Sequence, residues 1–394
     1  MSGLFHIEVA STLKNHEGES ICGDVFLTKK IKEENRIIIV LSDGMGHGVK
    51  ANVLATLTAT MAMNFSAEHK DPQKIAEIIM NTLPICSKRK MSYSTFSIVD
   101  IEIDGKTTIL EYDNPQCFAI RGTQPLDLNW ENIIMESERN KGKVLRSCSF
   151  YPRKEDRIFL FSDGITQSGM GTEKHPFGWG INNVYEFIEV LLKKQPDISA
   201  QRISEKVVNM AYKNDEYKAK DDSSCATIYF REPRKLLLVT GPPYEKENDA
   251  RLAKKVANFQ GKKILSGATT SDIISRELEL HIDDGFEFVD PDLPPVSYMD
   301  GIDLVTEGIL TLSKVNNILK NFSSRTKLGK GPADQIVKLL LECDEIHLII
   351  GTRINIAHQD PNLPVELEIR RTVVKRIARL LEEKFLKEVK IEFI

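Results

Sequence analysis

Apolar runs recur along the whole chain, but what separates them changes near its middle. Residues 4–10 and 22–28 have strand character, and 36–42, with IIIVL at its centre, reads as a buried strand. Residues 49–64, VKANVLATLTATMAMN, are rich in helix formers, and 71–84 continue as a second helix. Strand patterns return at 93–103, 107–112, 116–121 and 156–162, the first two joined by the turn Asp104-Gly105. Helical spacing follows at 181–194 and 198–213, and CATIYF at 225–230 closes the series with another strand. Strands and helices come in blocks, the order expected of antiparallel sheets with helices on their faces.

Beyond the charged bridge REPRK (231–235) the rhythm is different. LLLVT ends on Gly241-Pro242-Pro243, and a helix is predicted from about Glu247 to Phe259. KKILS ends on Gly267-Ala268-Thr269-Thr270, and a helix runs on through Glu279. EIHLII (345–350) ends on Gly351-Thr352, residues 364–385 form a long amphipathic helix, and VKIEFI is a last strand. Strand, short glycine loop and helix, repeated, predict a C-terminal α/β domain with a largely parallel sheet over 236–394. The boundary falls near 232–236. No internal repeat of fixed period and no low-complexity segment interrupts either half.

Composition narrows the class. At 394 residues the chain is long enough for two or three domains, and its apolar (41%) and charged (28%) fractions are those of a globular protein. A net charge of −4 without any Lys/Arg-rich run argues against a nucleic-acid partner. No apolar run approaches membrane-spanning length, and the N-terminus has no signal core. Six cysteines, at 22, 86, 117, 148, 225 and 343, show no C-x-x-C spacing, which suits reduced thiols and a cytoplasmic location.

Two buried strands end alike: Ser42-Asp43-Gly44 and Ser162-Asp163-Gly164. A third acidic cluster, Asp221-Asp222, precedes CATIYF, and a fourth, Gly23-Asp24, opens the strand VFLTKK. One Asp-Gly at a strand end is most often an ordinary turn. Four strand-terminal carboxylates on one rim would repel one another and need cations between them. All-oxygen ligation selects hard ions, Mg²⁺ or Mn²⁺, and two such ions sharing a carboxylate acidify a bridging water for attack on phosphorus. Glycine after Asp43 and after Asp163 allows a sharp turn and a close approach of carbonyl or phosphate.

The ordered motifs GD (23–24), SDGMGHG (42–48), FSDGITQSG (161–169) and DDSSCATIYF (221–230) resemble the metal-dependent, PPM-type protein phosphatases, specifically the bacterial sporulation stage II protein E branch. TFSIVDIEID (95–104) and DNPQCFAIRG (113–122) are similar to that branch's central strands, so the likeness covers roughly 4–231. The resemblance implies a phosphatase domain over 1–233, an antiparallel β-sandwich flanked by helices, making the whole chain α+β. It implies two Mn²⁺ or Mg²⁺ ions and hydrolysis of phosphoserine or phosphothreonine on a protein, often an anti-sigma factor antagonist. Asp43 would bridge the ions, the Gly44 carbonyl would bind one, Asp163 and Asp221 would complete the other's shell, and Asp24 would act directly or through water. Asp43, Asp163 and Asp221 would thus carry catalysis. The histidine that follows Asp-Gly in the eukaryotic branch is absent; His47 lies four residues beyond Asp43 and is expected at the turn or helix start. Lys220 stands where the branch often has a small residue, and 169–180 is either the mobile flap that the family carries at this place or an ordinary long surface loop.

Other features are open to two readings. Arg121 and Arg157 are candidates to grip phosphate, or simply strand-edge residues facing solvent. Cys22 and Cys225 are assigned to strand packing. In the C-terminal half, the loops after LLLVT and KKILS put small residues before helix N-termini, where anions can bind. That half is therefore a ligand-sensing or partner-docking domain, or a structural appendage. Within enzymes, a phosphohydrolase of small phosphate esters is the alternative.

Overall fold

In the computed structural model the chain divides into two compact units, Met1–Glu232 and Pro233–Ile394. The structure describes residues 5–31, 33–68, 71–82, 94–102, 105–138, 140–323, 326–353, 363–385 and 387–394, without the side chains of 363–369. Asp104 of the expected turn, Cys86, and the outermost residues expected for the elements at 4–10, 71–84 and 93–103 lie outside these residues.

The first unit runs β1 (His6–Lys14), β2 (Asp24–Ile31), β3 (Arg36–Gly44), α1 (Gly48–Glu68), α2 (Pro72–Thr82), β4 (Ser94–Ile101), β5 (Thr107–Tyr112) and β6 (Phe118–Arg121). It continues with β7 (Gln124–Leu126), β8 (Glu131–Ile134), β9 (Val144–Phe150), β10 (Asp156–Phe161), α3 (Asp163–Thr166), α4 (Ile181–Lys194), α5 (Ala200–Asn214) and β11 (Ser223–Arg231). These strands make a five-stranded sheet, β1-β11-β10-β6-β7, and a six-stranded one, β2-β3-β4-β5-β9-β8. Every pairing in both sheets is antiparallel.

The unbroken run at 37–41 lacks polar alternation because β3 is covered on both faces. Ile39 and Leu41 point into the core between the sheets, with Val99, Ile158 and Ile228. Ile38 and Val40 point the other way, onto Ala59, Ala62 and Ile79 of α1 and α2. The five-stranded sheet does the same with Phe159 and Phe161, which pack against Val184, Ile188, Val207 and Ala211 of α4 and α5. The result is a helix–sheet–sheet–helix sandwich, as the motifs implied.

The strands β7, β8 and β9 and the helical turn α3 have no counterpart in the sequence reading. β7 and β8 are three and four residues long and mostly exposed, so no alternation marks them. Their partners β6 and β9 impose the strand state on them.

The second unit comprises β12 (Lys235–Thr240), α6 (Asp249–Asn258), β13 (Lys262–Ser266), α7 (Ala268–Leu278), β14 (Ile282–Asp284), β15 (Ser297–Met299), β16 (Ile302–Thr306), α8 (Ile309–Asn321), α9 (Pro332–Glu342), β17 (Glu345–Ile350), α10 (Leu363–Glu383) and β18 (Glu388–Phe393). Its sheet has the order β14-β15-β16-β13-β12-β17-β18. From β16 to β18 the pairings are parallel, and the antiparallel ribbon β14–β15 is added at one edge. α8, α9 and α10 cover one face and α6 and α7 the other. The sequence reading leaves 280–344 without elements. Yet α8 and α9 carry a legible helical stripe in Leu312, Val315, Leu319, Ile336 and Leu340, all buried.

Candidate active site

Antiparallel pairing puts the end of one strand beside the start of the next, and each sheet of the sandwich uses this once at the same rim. In the six-stranded sheet, Asp24 at the start of β2 stands opposite Asp43 near the end of β3. In the five-stranded sheet, Ser162 N–H donates to Ser224 O (3.0 Å) and Ser224 N–H donates to Ser162 Oγ (2.8 Å). That double tie sets Asp163 beside Asp221 and Asp222. The two sheets are then stitched together by Ser224 Oγ, which donates to Asp24 Oδ2 at 2.5 Å.

The glycines beside these aspartates have a different reason from the expected one. None of Gly23, Gly44 and Gly164 has a left-handed backbone; each is where another segment passes too close for a side chain. A β-carbon at Gly44 would lie 2.1 Å from the carbonyl oxygen of Ala51 in α1, and one at Gly164 would lie 2.1 Å from Asp222 O. At Gly23 it would meet the Asp222 carboxylate at 2.6 Å. Packing, not turn geometry, requires glycine here.

Asp43, Asp163 and Asp221, all half-buried, line one cavity of about 780 Å³. Asp24 does not reach its wall: it is 1% exposed and sits behind, with Oδ1 lacking a hydrogen-bond partner. Asp222, rejected on sequence in favour of Asp221, is also buried; its Oδ1 accepts from His16 N–H (3.0 Å) and its Oδ2 has no partner.

Crowding shows in the protonation of these groups. Burial, then the charges of Asp24, Asp163 and Asp221, hold the Asp43 carboxyl well above the usual carboxylate range. Burial also pushes Asp24 up to about 7, opposed by hydrogen bonds from Ser224 and Ser162. Asp221 is raised to about 6 by burial and then by Asp163. Among the described residues no group of three or more His, Cys, Asp or Glu side chains is placed to hold a metal ion. The residues nevertheless fit divalent metal by their chemistry. They are all-oxygen donors, the pKa values of Asp43 and Asp221 are raised by burial and by their acidic neighbours, and two buried carboxylate oxygens, of Asp24 and Asp222, are left without partners.

Several neighbours surround these carboxylates, and two of them, His16 and Glu19, carry no sequence signal. His16, from the loop after β1, stacks on His47 with ring centroids 4.3 Å apart, and both border the cavity. His47 Nδ1 lies 2.7 Å from Glu19 Oε1. Gln167 Nε2 donates to Asp163 Oδ2 at 2.8 Å, one turn along from it. Asp113, at a left-handed turn position (φ 61°), also borders the cavity, raised in pKa by burial and then by Asp163. Met45 and Lys220 also border the cavity, the Lys220 ammonium donating to Met170 O (3.0 Å).

Neither of the two arginines weighed on sequence lines the cavity; Arg121, at the end of β6, is partly exposed, and Arg157 faces no solvent. Arg157 is buried, donates to Pro196 O (2.7 Å) and lies 3.5 Å from the centre of the Tyr229 ring. Arg121 makes a two-pronged pair with Asp156, 2.8 Å on each side. In 169–180, Phe177 is exposed and Trp179 is buried; the cavity wall takes Gln167 from before this stretch and Ile181 from after it.

A family model described as Stage II sporulation protein E (SpoIIE) matches residues 33–231, half of the chain. The chain belongs to this family. The match includes Asp43, Gly44, Asp163 and Asp221 and begins after Asp24. Among solved structures, this SpoIIE-family chain is similar to the phosphatase domain of the cell fate determinant SpoIIE from Bacillus subtilis, at 16% identity over 59% of this chain and 95% of that one, TM-score 0.45. A structure of the PP2C phosphatase domain of the same protein with a fragment of its regulatory domain gives 17% identity, 59% and 65% coverage and TM-score 0.48. RsbX in complex with magnesium gives 19% identity, 57% and 96% coverage and TM-score 0.39. No curated protein matches the chain in sequence. As a SpoIIE-family member the chain is a protein phosphatase of the PP2C type, a metal-dependent class.

Proposed function

We propose that the first unit hydrolyses phosphoserine or phosphothreonine on a regulatory protein, of the kind represented by anti-sigma factor antagonists. The observation that carries this reading is the meeting of Asp43, Asp163 and Asp221, from three separate strand ends, on one cavity. Asp43, the Gly44 carbonyl, Asp163 and Asp221 would hold two ions, Mn²⁺ or Mg²⁺, with Asp24 acting directly or through water. When bound, the ions neutralise the carboxylates and acidify water for attack on phosphorus.

The chain's own groups prepare that site. Gln167 fixes the orientation of Asp163, and Ser224 and Ser162 fix that of Asp24. The cavity's volume of about 780 Å³ is in the range of sites that hold small ligands. Residues 1–233 would be the catalytic domain, and 236–394 an accessory domain for ligand sensing or partner docking. A cytoplasmic setting is supported by the described cysteines, all free and buried. No described helix is long and apolar enough to cross a membrane.

The test compares manganese-dependent turnover of a phosphoserine peptide, a phosphorylated antagonist protein and p-nitrophenyl phosphate by wild type, Asp43→Asn and Asp163→Asn. Turnover of the phosphoproteins by wild type, lost in both variants while the circular dichroism spectrum is kept, is the expected result. Full activity in either variant, or turnover of the small ester alone, overturns the proposal.

A further inference from the structure

Next to the carboxylate cavity lies a second hollow of different character. It has a volume of about 290 Å³ and is walled by Phe118, Leu126, Leu128, Trp130, Ile181 and Tyr185. Gln116 and Ile181 border both hollows, so the two adjoin along that rim. One side of the second hollow, Leu126 and Trp130, packs on the core between the sheets. The opposite side, Phe118, Ile181 and Tyr185, packs on the core under α4 and α5. Phe118 and Tyr185 meet edge to face with centroids 5.5 Å apart, and the Arg146 guanidinium lies 5.8 Å from the Trp130 ring. Walls anchored in two separate cores keep the groove open, because neither side can collapse onto the other without unpacking its own core.

We propose that this groove receives an apolar side chain of the phosphoprotein substrate, carried by the polypeptide flanking the phosphorylated residue. The groove would thereby select among phosphoproteins. This inference rests on the protein-phosphatase reading above. Continuity of the two hollows is what commits it to a polypeptide: a phosphate held among Asp43, Asp163 and Asp221 leaves the groove empty unless its ester extends past Gln116 and Ile181. A peptide chain, advancing at roughly 3.3–3.6 Å per residue, makes that extension within a few residues. The groove's charged lining residue, Asp127, is acidic and exposed, so an acidic flanking residue would meet both an apolar wall and a like charge.

The experiment uses the full chain with Mn²⁺ and phosphoserine peptides of one parent sequence, carrying Leu, Phe or Asp in turn at each neighbouring position. Wild type is expected to prefer Leu or Phe over Asp at one position by roughly tenfold to a hundredfold in kcat/KM, the size of one buried aliphatic contact. Trp130→Ala, which removes a wall, and Asn182→Trp, which fills the groove from an exposed position, are both expected to bring that ratio close to one. Asn182→Trp leaves the core intact and decides the matter if Trp130→Ala fails to fold. Phosphopeptide turnover without an apolar preference, or a preference that survives Asn182→Trp, overturns the groove and leaves the phosphatase reading standing. Turnover of p-nitrophenyl phosphate with no turnover of any phosphopeptide overturns both.

Discussion

Strands in the two units end on similar words and arrive at different chemistry. In the first unit, Ser-Asp-Gly at 42–44 and 162–164 brings carboxylates to a cavity, and buried oxygens of Asp24 and Asp222 are left without partners. In the second unit the strand ends close on one another. Gly241 N–H donates to Thr270 Oγ1, Gly351 N–H to Thr240 O and Gly267 N–H to Thr306 O, each at 2.8 Å. A β-carbon at Gly351 would stand 2.1 Å from Pro242 O, as close as the one at Gly44 would come to Ala51 O. Gly351 and Gly44 thus share one reason, another backbone passing close by, whereas Gly241 and Gly267 take a left-handed backbone (φ 84° and 121°). Unpartnered buried oxygens occur in both units, among them Thr240 Oγ1 and Glu307 Oε2 beside the second unit's strand ends, so what sets the first unit apart is that carboxylates from three separate strand ends face one cavity.

Charge removal is the strongest way to break this contrast. Asp43→Asn or Asp163→Asn should lower kcat for phosphopeptide on the order of a thousandfold or more. Thr270→Val in the second unit should leave kcat within about twofold while costing about 1–3 kcal/mol of stability, through the orphaned Gly241 N–H. Equal losses of activity from both kinds of change would show that the strand ends of the two units are not functionally distinct.

Next in size is the linkage of stability to pH. Asp24 in the folded chain titrates near 7 instead of 3.8, so between these values the folded state holds a proton that the unfolded state has released. Stability from this group is full below pH 3.8 and is lost as pH rises through about 7. The melting temperature of the metal-free protein should therefore fall by several degrees from pH 5 to pH 7. Asp24→Asn should flatten that fall, and Mn²⁺ should raise the melting temperature more at pH 7 than at pH 5, since protons compete with it. A metal-free melting temperature that rises over this range would contradict the strained carboxylate cluster.

Smaller still is the packing effect shared by both units. Gly164→Ala and Gly351→Ala should each cost about 1–3 kcal/mol in chemical denaturation, because a methyl group has no room at either backbone crossing. Only Gly164→Ala should also lower activity, by displacing Asp222 and with it Asp221. The finest probe is Gln167→Ala. Losing the hydrogen bond to Asp163 should weaken half-saturation by Mn²⁺ roughly tenfold, with little change in melting temperature of the metal-free chain.

Much of this was legible before any coordinates. The block order of strands and helices, then their alternation, separated an antiparallel half from a parallel one. The four acidic strand ends were visible as words. What the sequence does not show has two different physical causes. β7 and β8 are too short and exposed to carry a period, so only their partners make them strands. Arg157 was misjudged because its burial depends on Tyr229 and Pro196, neither adjacent to it in sequence. His16 and Glu19 belong to the same class: nothing in their local sequence says that they meet His47 beside the cavity.

By itself the sequence determined which strands end in carboxylates, in what order these come, and to which family they belong, since those depend on neighbours a few residues apart. Tertiary structure decided which carboxylates face the cavity and which lie behind it, and that the glycines are there for clearance. The reason is one of distance along the chain: Ser224, which ties Asp24 into the site, is 200 residues away from it. Burial and repulsion among Asp24, Asp43, Asp163 and Asp221 exist only after two sheets have closed on each other.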